Sequence, residues 1–169
     1  MVRRQLIRVW RFLILPLVGA MAVMLTPVAV PASQATTAPA LAAAGTLYEG
    51  ENATIFHGTV DSDHTGFTGT GFCNTNNAVG ASVQWTVNAA NAGGATLTFR
   101  YANGSTASRP MTVTVNGSAV ATLDFPPTGS WDSWATVPVP ATVNAGSHTV
   151  RLSATTSAGG PNVDYLDAS

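Results

Sequence analysis

The chain has 169 residues, 46% hydrophobic and 9% charged, with a formal net charge of −1, the size of one domain or of one domain with a tail. That near-neutrality hides a division: Arg3, Arg4, Arg8 and Arg11 carry four of the seven positive charges, whereas residues 45–169 set three arginines against eight acids, a formal −5, with no lysine. A body so charged cannot neutralise a run of phosphates, which excludes nucleic acid and anionic membrane surfaces as partners, and the single cysteine, Cys73, excludes an intramolecular disulfide and a C-x-x-C zinc site.

The chain opens with a basic segment, Met1 to Arg11, followed by an apolar stretch, Phe12 to Val30, broken by Pro16 and Pro27, and then by small residues. This is the order of a secretory signal. Cleavage sites end at Ala32, Ala35 and Ala42, and the sequence does not choose among them. Arg3-Arg4 also resembles the start of a twin-arginine signal. The rival reading is an uncleaved membrane anchor, because a spanning helix needs about 20 apolar residues. Residues 1–44 are assigned to the signal and a linker, and residues 45–169 to an exported domain.

That domain shows alternation rather than helical periodicity. Ser82 to Val87, Ala95 to Tyr101, Met111 to Val115, Ala119 to Phe125, Ala135 to Val139 and His148 to Leu152 read as half-buried strands. Between them lie Gly93-Gly94, Asn103-Gly104, Asn116-Gly117 and Asn144-Ala145-Gly146, and Asn116-Gly117 is the strongest hairpin signal. Short strands about ten residues apart with such turns predict an all-β antiparallel sandwich or barrel. Without a disulfide, the fold must hold on its core, on oligomerisation or on a metal.

Glu49 and Glu51, two apart on an opening strand, present both carboxylates on one face. Asn162 to Asp167 is a closing strand with two further acids. If the terminal strands pair, Glu49, Glu51 and Asp167 converge on a hard-oxygen site suited to calcium; otherwise they are solvated surface acids. Asp61, Asp63 and His64 form another polar knot, either a metal site or a solvated loop. A small glycoside hydrolase or lyase built on Asp61, Asp63 or Asp164 is the enzyme alternative, but no nucleophile signature accompanies the histidines.

The aromatic residues point to sugar. Trp131 and Trp134 lie in a Gly- and Ser-containing loop, where a flat indole face suits the C–H surface of a pyranose and neighbouring amides suit its hydroxyls. One tryptophan is expected to plug an end of the sandwich, leaving the other for ligand. The segment Gly66 to Asn77 is rich in Gly, Thr and Asn, and lacks the lysine and following helix of a phosphate loop.

Six motifs then fall in one order: Tyr48-Glu49-Gly50-Glu51-Asn52-Ala53, the Gly66 to Phe72 run, Phe99 to Gly104, Val115-Asn116-Gly117, Gly129-Ser130-Trp131-Asp132-Ser133-Trp134, and Asn162 to Leu166. Over Leu47 to Asp167 this resembles carbohydrate-binding modules of family 35, related to family 6. The resemblance implies a non-catalytic jelly-roll β-sandwich with a structural Ca2+ on Glu49, Glu51 and Asp167; with the signal order of the first residues, a secreted monomer is expected. It also implies a loop cleft that binds polysaccharide or oligosaccharide through Phe72, Trp131, Trp134 and Asn162, assisted by Asn74 and Arg109. A membrane-anchored adhesion domain is the remaining alternative.

Overall fold

Residues that alternate between apolar and polar must bury one face, and in this chain two such faces are pressed together. The computed structural model describes residues 45–169, all within the second of the two units into which the chain divides; the expected signal segment lies outside them. Among the described residues eleven strands are formed: β1 (Thr46–Glu49), β2 (Thr54–Phe56), β3 (Gly58–Asp61), β4 (Phe72–Thr75), β5 (Ser82–Ala89), β6 (Gly93–Ala102), β7 (Met111–Val115), β8 (Ser118–Leu123), β9 (Ala135–Val143), β10 (Gly146–Ala154) and β11 (Asn162–Ala168). One sheet runs β3-β4-β11-β6-β9 with β1 also on β11, and the other runs β2-β5-β10-β7-β8. The protein is an all-β, two-sheet sandwich.

The core is the inward half of each alternating run. Leu97, Phe99 and Tyr101 of β6 face Val83, Trp85 and Val87 of β5, with Met111, Val113, Val150, Leu152 and Leu166 filling between. Phe99 is fully enclosed, and truncating such a ring to alanine costs about 3–5 kcal/mol. The Trp85 indole N–H donates to the Glu49 carbonyl at 3.1 Å, tying the second sheet to β1.

The Asn116-Gly117 hairpin forms as expected: both residues have positive φ, 50° and 80°, and Val115 pairs with Ser118 across the two-residue loop, the geometry that matches strand twist. Strands β2 and β3 escape a pattern-based reading because each is short and they belong to different sheets. His57, between them, has φ 56° and turns the chain from one sheet to the other. Asn103, expected in a turn, is instead fully buried. Its Nδ2 donates to the carbonyls of Ala107 and Phe125, and its Oδ1 accepts from the Ser105 N–H and hydroxyl.

The terminal strands do pair. β11 has two neighbours along one edge, β4 at Asn162–Val163 and β1 at Tyr165–Ala168. On its other edge the register with β6 slips between Val163 and Tyr165. Asp164 sits at that irregularity, and bulges of this kind re-aim a side chain.

Candidate functional site

At one end of the sandwich, loops between the sheets enclose a cleft of about 260 Å³ lined by His64, Asn74, Asn77, Arg109, Trp131 and Asn162. Asn74 of β4 and Asn162 of β11 are direct register partners, so a single rung of the sheet presents two amides side by side. The Asn74 amide nitrogen is oriented by Asp61 Oδ2 at 2.7 Å. Asn162 is almost wholly buried.

Planar groups form the wall. His64 lies nearly parallel to Trp131, ring centroids 6.3 Å apart and 23° between planes, and to Phe72 on its other side at 5.8 Å and 30°. The Arg109 guanidinium sits 5.2 Å from the Trp131 ring centre, and its Nη1 donates to Asn77 Oδ1 and to the carbonyls of Ala158 and Gly160. Burial pushes its pKa down from the usual arginine value. Gly104 is required beside the indole, since a Cβ there would fall 2.6 Å from Trp131 Cγ and 2.7 Å from its backbone nitrogen.

Two expected sugar contacts are placed elsewhere. Phe72 is completely buried, packed by Phe67, His64 and Trp134; it supports His64 from behind and cannot touch a ligand. Trp134 donates its N–H to the Thr65 carbonyl at 2.8 Å, and its ring lies over Arg100 at 5.3 Å. Both indoles are half-buried, and of the two it is Trp131 that lines this cleft. His64 and Asn77 were not among the expected sugar contacts. Their signals were the polar knot at Asp61-Ser62-Asp63-His64 and the asparagine run ending at Asn77, and neither shows in sequence that it faces the same cleft as Trp131.

Asp132 anchors the wall, accepting from the Thr65 N–H at 2.7 Å and its hydroxyl at 3.1 Å. The Thr65 backbone bond in particular holds its carboxyl below the usual aspartate range.

The acids gather on the neighbouring side. The Thr68 hydroxyl lies 2.9 Å from Glu49 Oε2 and 3.3 Å from Asp164 Oδ2, and the Thr68 N–H donates to Asp164 Oδ1 at 2.9 Å. Glu51 Oε1 accepts from the Thr70 N–H at 2.7 Å, while its Oε2 is buried without a partner. Burial, and then the charges of Glu51 and Asp164, push the Glu49 pKa up against the Thr68 hydrogen bond. Asp164 is fully buried and ion-paired with Arg100, whose Nη2 also donates to the Gly66 carbonyl. Asp167, the expected third ligand, is not brought to this group: it pairs with Leu47 and lies against Gly45. The bulge turns Asp164 toward the glutamates in its place. Among the described residues no three His, Cys, Asp or Glu side chains form a preassembled metal cage.

Residues 49–168 match the family model for carbohydrate binding module family 6. The chain is a carbohydrate-binding module of the family 6 and 35 type. Such modules are non-catalytic. It is 49% identical over 120 residues to an exo-beta-D-glucosaminidase of Amycolatopsis orientalis, a match covering 70% of this chain and 12% of that protein. It is 49% identical over 111 residues to endo-1,4-beta-xylanase B of Cellvibrio japonicus, covering 64% and 18%. The module thus spans under a fifth of these curated relatives. A family 35 module from Clostridium thermocellum superposes with a TM-score of 0.73 at 42% identity, covering 75% of this chain and 98% of that one. A Xyl-CBM35 in complex with a glucuronic acid containing disaccharide gives 0.67 at 43% identity, covering 73% and 91%. Among the described residues no helix is long and apolar enough to cross a membrane.

Proposed function

We propose that this module is exported, works as a monomer and binds polysaccharide or oligosaccharide in the Trp131 cleft, with preference for sugars that bear a carboxylate. The observation that carries this is the convergence of one aromatic wall, Trp131 on His64, with the amides of Asn74, Asn77 and Asn162 and one guanidinium, Arg109, in a single cleft. The indole face covers pyranose C–H surface, the amides exchange hydrogen bonds with hydroxyls, and Arg109 pairs with a uronate. The related Xyl-CBM35 is in complex with a glucuronic acid containing disaccharide, which supports the carboxylate preference. The basic and apolar order of residues 1–44 supports export, and the pairing of β1 with β11 supports a jelly-roll closure.

A structural calcium fits the acids beside the cleft. Glu51 Oε2 is a buried oxygen without a partner, and Glu49 is crowded by two like charges; both conditions favour a hard cation. Glu49 and Glu51 would hold it, with Asp164, already neutralised by Arg100, as the third carboxylate in place of Asp167. Bound there, calcium supplies charge neutralisation between β1, β11 and the Thr68–Thr70 loop.

Calorimetry of the secreted protein with calcium present, against xylan, mannan, galactan and glucuronic acid oligosaccharides, tests the reading. Binding strongest to the uronate ligands is expected, and absence of heat with every glycan would overturn it.

A further inference from the structure

We propose that His64 is a specificity-determining residue of the cleft: it takes up a proton when a carboxylate-bearing sugar binds, so that uronates are held more tightly as pH falls. This role rests on the uronate reading of the cleft and adds to it a second recognition group. Of the chain's three histidines, His64 alone lines the cleft. Its side chain keeps 27% of its surface exposed, and Asp132 Oδ1 stands 3.7 Å from its Nδ1, too far for a hydrogen bond. The ring is held by the planes on either side of it and keeps its nitrogens for other partners.

Charge is what the cleft lacks. Residues 45–169 contain no lysine and only Arg100, Arg109 and Arg151. Arg100 is neutralised by Asp164, and Arg151 is engaged by Ser82 and the Phe56 ring. Arg109 is therefore the one fixed cation in the cleft, and its Nη1 is already committed to Asn77 and the carbonyls of Ala158 and Gly160. Two carboxylates back the same wall: Asp132 beside His64, and Asp61 on the Asn74 amide. One arginine against two aspartates leaves a negative balance, to which a uronate adds its own charge. A proton on His64 brings the cleft to neutrality before the ligand arrives and gives the carboxylate a second cationic donor.

The surroundings accept that cation. The Phe72 and Trp131 ring centres lie 5.8 Å and 6.3 Å from the imidazole centre, and aromatic faces attract positive charge. Asp132 is kept ionised chiefly by the Thr65 N–H. The other groups around the cleft are the neutral amides of Asn74, Asn77 and Asn162, and Asp63, next in the chain, is exposed. An imidazole side chain exchanges its proton between about pH 5 and 8. A bound carboxylate favours the protonated ring, and by reciprocity the protonated ring favours the carboxylate. Uronate affinity is therefore greatest at the acid end of that range and falls as pH rises through it. Uptake of one whole proton would change affinity by at most about a hundredfold over two pH units.

The test is calorimetry of the secreted protein, calcium present, with a glucuronic acid containing disaccharide at about pH 5.5 and about pH 7.5. The parent should bind about tenfold more tightly at the lower pH, and buffers of different ionisation heat should show uptake of about half a proton near the middle of the range. Any loss of calcium in acid would weaken binding, opposite to the expected change. His64→Phe, which keeps a ring between Phe72 and Trp131, should bind about tenfold more weakly than the parent at the lower pH and take up no proton. Equal or weaker parental binding at the lower pH, or a pH response that survives in His64→Phe, overturns the role of His64 and leaves the cleft reading standing. Binding of neutral glycans with no binding of the uronate overturns the carboxylate preference and His64 together. Should His64→Phe fail to fold, proton uptake by the parent decides, and zero uptake refutes the assignment.

Discussion

Trp131→Ala separates the cleft from the fold that carries it. The indole is partly exposed, near-parallel to His64 with 6.3 Å between ring centres, and the Arg109 guanidinium is 5.2 Å from its centre. A pyranose lying on it covers roughly 80 Å² of apolar surface, which at about 25 cal/mol/Å² is about 2 kcal/mol, a loss of roughly 30-fold in affinity. The contact with Arg109 is worth about 0.5–1 kcal/mol to the free protein, so the melting temperature should fall only slightly. Calorimetry with a uronate oligosaccharide, beside thermal unfolding of the same samples, reads both quantities. Trp134→Ala is the control: its ring packs on Phe72 and its N–H is tied to Thr65, so it should cost stability, about 2 kcal/mol, while affinity stays within about threefold. If Trp131→Ala retained parental affinity in a folded protein, or if the two substitutions exchanged their effects, the placement of ligand on Trp131 would be wrong.

Three further outcomes follow from the same geometry. Arg100→Met strands the fully buried Asp164, so urea unfolding should show a loss of about 3–5 kcal/mol; a loss under about 1 kcal/mol would mean that Asp164 is compensated otherwise. Chelation should lower the melting temperature of the parent, since a cation at about 100 times its dissociation constant contributes about 2.7 kcal/mol, and Glu51→Gln should abolish that sensitivity. An unchanged parent would remove the calcium reading. Cys73 is buried, and burial pushes its thiol up to about 12, with the Asp61 charge adding to the shift. At pH 8 it is therefore protonated in the fold, and alkylation should await unfolding; rapid labelling of native protein would contradict its position.

What the sequence could reveal depended on how local the cause was. Alternation in Met111 to Val115 and the Asn116-Gly117 pair define a strand and a turn by themselves, because side-chain period and positive φ are properties of neighbouring residues. Residue type marked Trp131 and Trp134 as candidate sugar contacts, whereas Asn74, Arg109 and Asn162 came from the resemblance to family 35; of these five all but Trp134 line the cleft. The choice between Asp164 and Asp167 was not local. Three apart on a regular strand they would face opposite ways, and which one meets Glu49 is decided where β11 exchanges β4 for β1 and its register with β6 slips. Phe72 was misplaced for a similar reason: nothing beside it announces that Phe67, His64 and Trp134 close over it.

Residues 62–71 join the two chemistries of the module. Within this one connection Thr68 and Thr70 bind the acids, Gly66 accepts from Arg100, Thr65 is held by Asp132 and Trp134, and His64 forms the cleft wall against Trp131. Each attachment is a hydrogen bond or stack between segments far apart in sequence, so the connection has little local structure to hold it if the acid end is released. A cation at Glu49 and Glu51 would therefore do more than relieve their repulsion: by fixing Thr68 and Thr70 it would limit how far His64 can move from the indole. Calcium removal should then weaken glycan binding together with stability, although no ligand atom need touch the cation. Arg100→Met, which disturbs the same connection from Asp164 and Gly66, should weaken binding in the same direction. If chelation lowered the melting temperature while affinity held constant, residues 62–71 would be two independent halves rather than one mechanical link.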